Sequence, residues 1–251
     1  MTRARLRLTT GILAVLASVI VVASQATLAV RFDYPDVTRQ PVLTVLRLYL
    51  AAGPSVRLAW FAFALGALMI APLAVLLEAT VAKRPSPVLR IATTFGVIAA
   101  FAYTIGIMRW VLVANVLATE AANADTDMHR ATVALVFRAF DVYCGNSFGE
   151  TIAPLTHGLW STMLGVAMLR VGKRRNGPLP RWMSWALILT GGAIAMRPLE
   201  YVGAPALGEV GDIGVGAWTG LLALVGVSMI RRGCAGHLGR PRVVTAGSLE
   251  P

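Results

Sequence analysis

The sequence predicts an all-α integral membrane protein, a bundle of six transmembrane helices with both termini on the cytoplasmic side. Three observations carry that prediction. The 251 residues are 57% hydrophobic and only 14% charged, whereas a soluble chain runs near 45–50% apolar and about 25% charged. The apolar residues fall in runs of about 20, the length a helix needs to cross a hydrocarbon layer roughly 30 Å thick. The formal charge of +11 is gathered in short basic clusters between those runs, as orientation signals are. The same pattern excludes a disordered chain and a disulfide-stapled domain, since Cys144 and Cys234 are the only cysteines. It also excludes nucleic-acid binding, which needs a basic face rather than loop clusters.

The first span covers residues 11–30 and follows Arg3, Arg5 and Arg7. Its apolar run of about 20 exceeds the roughly 7–15 of a signal-peptide core, so it stays attached rather than being cleaved near Thr27 after Ser24 and Ala26. The second span, 58–77, contains Pro72 and precedes Lys83 and Arg84. Between them Val42 to Ala52 reads as a short interfacial helix ended by Gly53-Pro54, a spacer rather than a ligand lid. The third span, 91–118, is interrupted by Arg109. The fourth, 146–171, ends at the basic run Lys173, Arg174, Arg175. The fifth and sixth cover 182–198 and 213–230, the last closed by Arg231 and Arg232. Residues 233–251 read as a disordered cytoplasmic tail. No soluble domain or internal repeat stands out.

Sorting the charges by side tests this topology. With the N-terminus inside, fifteen Lys and Arg are cytoplasmic, including Arg90, Arg170, Arg181, Arg240 and Arg242. Arg31, Arg39, Arg47, Arg57 and Arg130 lie in outer loops, with Arg109, Arg138 and Arg197 in or near spans. Asp33, Asp36, Glu120, Asp125, Asp127, Glu200, Glu209 and Asp212 are outside, leaving only Glu78 and Glu250 as inner acids. The Lys/Arg asymmetry sets orientation. The preponderance of Arg over Lys suits a high-GC bacterial genome.

Polar side chains inside spans are where function is sought. Arg109 lies about 27 Å up from Ile91, Arg197 about 22 Å up from Trp182, and His157 and Glu150 about 20 and 30 Å up from Arg170. These four groups fall in the outer third of the membrane, with Glu200 and Tyr201 closing the top of span five. Helical spacing puts Tyr143, Asn146, Glu150 and His157 on one face. It also allows i,i+3 pairs between Arg197 and Glu200 and between Arg138 and Asp141. Gly158 and Gly165, a heptad apart, favour close helix packing, and Pro154 disturbs the helix above them.

Two arrangements fit these residues. In one, Arg109 and Arg197 form an electropositive recess for an anionic headgroup or small acid, with Glu150 and His157 orienting it or relaying protons. In the other, Glu150 and Glu200 neutralise the arginines and His157 donates to a nearby carbonyl; the balance falls here. No cofactor is implied. Three histidines, His129, His157 and His237, lie too far apart for a usual zinc or haem site. Cys144 and Cys234 sit at opposite membrane faces, and neither a nucleophile elbow nor a phosphate-cradling glycine loop occurs.

Leu58-Ala59-Trp60, Gly149-Glu150, His157-Gly158-Leu159-Trp160, Leu179-Pro180-Arg181-Trp182 and Glu200 occur in an order and spacing that carry a family resemblance. Over roughly residues 10 to 232 the chain resembles small bacterial multi-pass membrane proteins grouped only as a domain of unknown function. That resemblance implies a helical fold in the bacterial cytoplasmic membrane and no particular activity. The expected role is a non-enzymatic one in interaction, sensing or small-ligand binding, with membrane lipids as partners. The alternatives are a carrier of a small solute or lipid, and a membrane-embedded enzyme acting on a lipid headgroup.

Overall fold

Helix is the only regular structure among the described residues, which in this computed structural model are 2–81, 86–172 and 179–238. Lys83, Arg84, Lys173, Arg174, Arg175, Arg240, Arg242 and Glu250 lie outside them, as does the tail beyond Leu238.

The first helix, α1, runs Arg3–Phe32, with the Thr2 hydroxyl accepting from the Arg5 N–H and Asp33 in the left-handed region closing its far end. The short α2 (Val42–Ala52) stops at Gly53, whose φ of 71° a side-chain-bearing residue adopts reluctantly. Pro54 then opens α3 (Pro54–Leu68) at the position where a missing N–H costs nothing. The column continues as α4 (Ile70–Val81) after a break at Met69. Pro72 accounts for the break: without an N–H it leaves the Leu68 carbonyl four residues back unpaired.

The third column is α5 (Pro87–Val111) followed by α6 (Val113–Ala122), so the apolar run 91–118 belongs to a longer helix broken at Leu112. The fourth is an unbroken helical stretch: α7 (Asp127–Phe140), a π-helical segment Asp141–Ile152, and α8 (Ala153–Gly172). The fifth, α9 (Arg181–Ala195), ends in a 3₁₀ turn, Arg197–Val202. The last, α10 (Ala206–Leu238), carries helix past Arg232 into residues that read as tail.

Neighbouring columns pack in a closed order: α1 on α3, α3 on α5, α5 on α8, α8 on α9, α9 on α10, and α10 back on α1. The α4 half leans inward and sets Leu73 and Leu77 in one core with Trp160, Leu164, Trp218 and Leu222. At the other end α2, α6 and α7 pack together over a second core of Phe32, Tyr49, Trp60, Trp110 and Phe137. Trp60 and Trp110 stack with centroids 5.1 Å apart, and the Tyr49 hydroxyl donates to the Trp110 carbonyl at 2.5 Å. So α2 is part of a helical cap with its own core, more than the spacer its sequence suggests. Its hydrophobic face covers Trp110 because Val45, Leu46 and Tyr49 share one side of the helix.

Among the described residues, five helical stretches are long and apolar enough to cross a membrane: Arg3–Phe32, Pro54–Val81, Pro87–Ala122, Asp127–Arg170 and Ala206–Cys234. Around the perimeter Val19, Leu58, Phe101, Leu189 and Leu224 are each more than half exposed. Water would not tolerate so continuous an apolar exterior, whereas lipid requires it.

Two crossings depend on backbone touching backbone. A Cβ on Gly11 would lie 2.6 Å from the Gly226 carbonyl oxygen, and one on Gly226 2.8 Å from that of Gly11. Gly158 and Gly191 join α8 to α9 in the same reciprocal way, and Gly165 meets the Ser184 carbonyl below them. Gly216, by contrast, has nothing within 4 Å of where a Cβ would go. Gly158→Ala is therefore expected to lose about 1–3 kcal/mol through overpacking, while Gly216→Ala gains about 0.5 kcal/mol of helix propensity. Thermal unfolding of the two variants in detergent measures both, and equal midpoints would contradict the packing.

Candidate functional site

The polar residues singled out in the sequence do not form one cluster. They divide into two ion-pair assemblies near the cap end and a buried histidine below them.

The first assembly belongs to Arg109, near the end of α5. Its Nε donates to Asp141 Oδ1 at 2.9 Å, and a second nitrogen donates to the Gly106 carbonyl one turn back. The guanidinium lies against Gly145, where a Cβ would come within 2.6 Å of Cζ. Asp141 was expected to pair with Arg138 on its own helix. The π-helix starts at Asp141 and turns its carboxylate across to α5 instead, leaving Arg138 exposed.

The second assembly centres on Arg197. Its Nε donates to Asp212 Oδ1 at 2.6 Å, and Nη1 lies 3.2 Å from Glu150 Oε2. Tyr201 donates its hydroxyl to the same Glu150 oxygen. One guanidinium thus ties the π segment, the end of α9 and the start of α10. Glu200 does not pair with Arg197, although it sits three residues on. Its carboxylate packs over Gly208 in the first turn of α10, where unpaired N–H groups favour negative charge.

Tyr143 and Asn146 fall away from this assembly. Tyr143 is 64% exposed and packs edge-on against Phe148. Asn146 is half-buried, its backbone carbonyl takes the Thr151 hydroxyl at 2.8 Å, and its side chain has no hydrogen bond among the described residues. Each π turn takes up an extra residue, so positions seven apart no longer share a face as they do in an α-helix.

His157 lies two α-helical turns below Glu150, about 10 Å lower by helical rise. It is buried, its Nδ1 is 3.3 Å from the Tyr103 hydroxyl, and its ring stands edge-on to Trp218 at 4.2 Å. Its Nε2 has no hydrogen-bond partner among the described residues. The carbonyl partner expected from sequence is replaced by a phenol from α5. His157 and Trp218 share the lining of a cavity of about 60 Å³.

Tyr34, just beyond α1, stands edge-on to Trp60. Burial, reinforced by the Glu150 carboxylate and partly opposed by Arg109 and Arg197, pushes its phenol up to about 12. Among the described residues no group of three or more His, Cys, Asp or Glu is placed to hold a metal ion.

The family model of DUF4386, a domain of unknown function, matches residues 9–230. The chain belongs to the DUF4386 family. That match bears out the resemblance read from the short motifs, and the DUF4386 region takes in both ion-pair assemblies, the histidine and most of α10. No curated protein and no solved structure matches the chain.

Asp212, Tyr103 and Trp218 were not singled out from sequence. Asp212 was legible in one respect: it directly precedes the apolar run 213–230 that follows Arg197, so two opposite charges sit at adjoining ends of consecutive antiparallel columns. Nothing in local spacing points to Tyr103 or Trp218, whose positions depend on how three columns pack.

Two outcomes follow from this geometry. Arg197→Ala strands two carboxylates and is expected to cost on the order of 2 kcal/mol, between the surface and buried limits. Arg197→Lys recovers only part, because an ammonium cannot fork to both oxygens; thermal unfolding reads both. A phenol with a raised folded-state pKa stabilises the fold fully below its ordinary value near 10 and ceases to as pH rises through about 12. Tyr34→Phe should therefore match the parent at pH 9 and lose less stability between pH 10 and 12.

Proposed function

We propose that this DUF4386 protein is a six-span protein of the bacterial cytoplasmic membrane, with both termini inside, that binds or senses a small molecule without transforming it. The observation that carries the reading is the mutual use of the outer charges. Two arginines, Arg109 and Arg197, face three carboxylates, Asp141, Glu150 and Asp212. Such a layer closes the bundle rather than presenting the electropositive recess that an anionic headgroup requires. Beneath it remains a cavity with a buried histidine, the place for a ligand that arrives through the membrane.

The sixth span is the short α9. Its 15 residues rise about 22 Å, and the following 3₁₀ turn adds roughly 12 Å, enough together to reach across the hydrocarbon. Its buried face packs on α8 and α10 while Trp182, Trp185 and Leu189 look outward. The positions of Arg3, Arg5, Arg7, Arg90, Arg170, Arg181, Arg231 and Arg232 support an inside placement of both termini. Membrane lipids surround this exterior as its partners. A carrier is the second reading, favoured by the break at Met69 in mid-span, beside the cavity-lining Ala67 and Ile70.

Topology is tested with single cysteines in a Cys144→Ser, Cys234→Ser background. Asp125→Cys and Glu209→Cys should react with an impermeant maleimide in intact spheroplasts, and Ser86→Cys and Arg181→Cys only after permeabilisation. Equal labelling at 181 and 209 would leave α9 on one side of the membrane and remove the sixth span.

A further inference from the structure

The cavity beside His157 has a position and a polarity that say what it takes. Ser18, Ala67, Tyr103 and Thr219 line it, and each lies near the middle of its own column, Arg3–Phe32, Pro54–Val81, Pro87–Ala122 and Ala206–Leu238. The cavity therefore sits at mid-depth in the bundle, and it is partly open. Its volume of about 60 Å³ is several times the roughly 10–15 Å³ that one water needs, room for the end of a narrow molecule.

The polar atoms around it have fixed roles. Ser18 donates its hydroxyl to the Ala14 carbonyl at 2.9 Å, and Thr219 donates to the Val215 carbonyl at the same distance. Both oxygens therefore only accept from anything in the cavity. The Tyr103 hydroxyl has His157 Nδ1 as its one acceptor among the described residues. The assignment that satisfies the phenol proton has Tyr103 donating to Nδ1, which puts the imidazole proton on Nε2. Nε2 is buried and without a partner among the described residues, so the histidine holds an unspent donor in mostly apolar surroundings. A buried donor left unmade is costly, so an acceptor oxygen that reaches Nε2–H is favoured in this mostly apolar cavity.

We propose that this cavity binds the oxygen-bearing end of a small, uncharged, lipid-phase molecule, a ketone, ester or alcohol oxygen accepting from His157 Nε2–H with its apolar remainder against Phe63 and Trp218. The proposal rests on the ligand-binding reading given above and supplies its ligand class. A carboxylate or phosphate is disfavoured, since no cation lines the cavity. The same oxygen chemistry has two sources, a free amphiphile and the acyl ester of a membrane lipid.

The test uses the full chain, ¹⁵N-labelled at its three histidines, in dodecyl maltoside micelles that contain no ester. Titration with 2-hexanone is expected to move the His157 Nε2–H resonance saturably, while hexane at equal concentration does not. Ala67→Leu, which fills the cavity from α3 and leaves His157 in place, should weaken the response at least tenfold. If His157→Phe folds, its thermal midpoint should no longer rise with 2-hexanone. In nanodiscs, a resonance already displaced by ester-linked phosphatidylglycerol but not by its ether-linked analogue assigns the oxygen to the lipid. The same resonance in both, still titrating with 2-hexanone, assigns it to a free molecule. An equal response to hexane, a persistent water cross-peak at Nε2–H, or no response in micelles together with identical spectra in the two nanodiscs overturns the proposal. None of those results alters the cysteine labelling, so a failed ligand class and a failed six-span topology are told apart.

Discussion

One guanidinium, held between carboxylates of two other columns, sets where the cap end of this bundle stands. In hydrocarbon or at its margin a charge must find an opposite charge or reach water, and Arg197 finds Glu150 on one side and Asp212 on the other. That requirement fixes the height of α9 against its neighbours. It draws the chain after Ala195 into a tight 3₁₀ turn that begins with Arg197 and Pro198 and delivers Tyr201 onto Glu150. With Glu150 engaged by Arg197 and Tyr201, Glu200 settles over the first turn of α10. The Arg109–Asp141 pair repeats the logic on the far side of the π segment. The histidine, two turns lower, is outside this electrostatic scheme and is governed by packing and a single phenol.

The architecture was legible because hydrocarbon imposes a simple rule: runs of about 20 apolar residues, with basic residues between them. The stop at Gly53-Pro54 and the uneven second span at Pro72 were equally legible, since each follows from backbone chemistry local to the residue. The site was legible only as an inventory. Arg109, Glu150, His157 and Arg197 were identifiable as costly residues in apolar runs, but their partners belong to other columns. Helical spacing proposed Asp141 for Arg138 and Glu200 for Arg197, and tertiary contact assigned both differently. The face shared by Tyr143, Asn146, Glu150 and His157 assumed a uniform α-helix. Twelve π-helical residues ahead of Pro154 removed that assumption. Pro154 and the flanking Gly145 and Gly149 were the only local signs, and they predicted a kink as readily as a widened turn.

Glycine decides which columns may touch. Gly158 against Gly191 and Gly11 against Gly226 bring main chains into contact, where van der Waals packing replaces the hydrophobic drive that lipid cannot supply. Trp160 and Trp218, large and nearly fully buried, fill what the small residues leave, and the cavity beside His157 is the part they do not fill.

The closure of α10 onto α1 means that two helices made far apart in time are neighbours in the finished protein. Gly11 meets a partner 215 positions later in the chain, at Gly226. At about 5–20 residues per second, α1 waits roughly 10–40 s in the bilayer with that face against lipid. Until α10 arrives, the wall that Thr219 and Trp218 form beside His157 is missing. The cavity beside His157 is therefore completed only when α10 packs back onto α1.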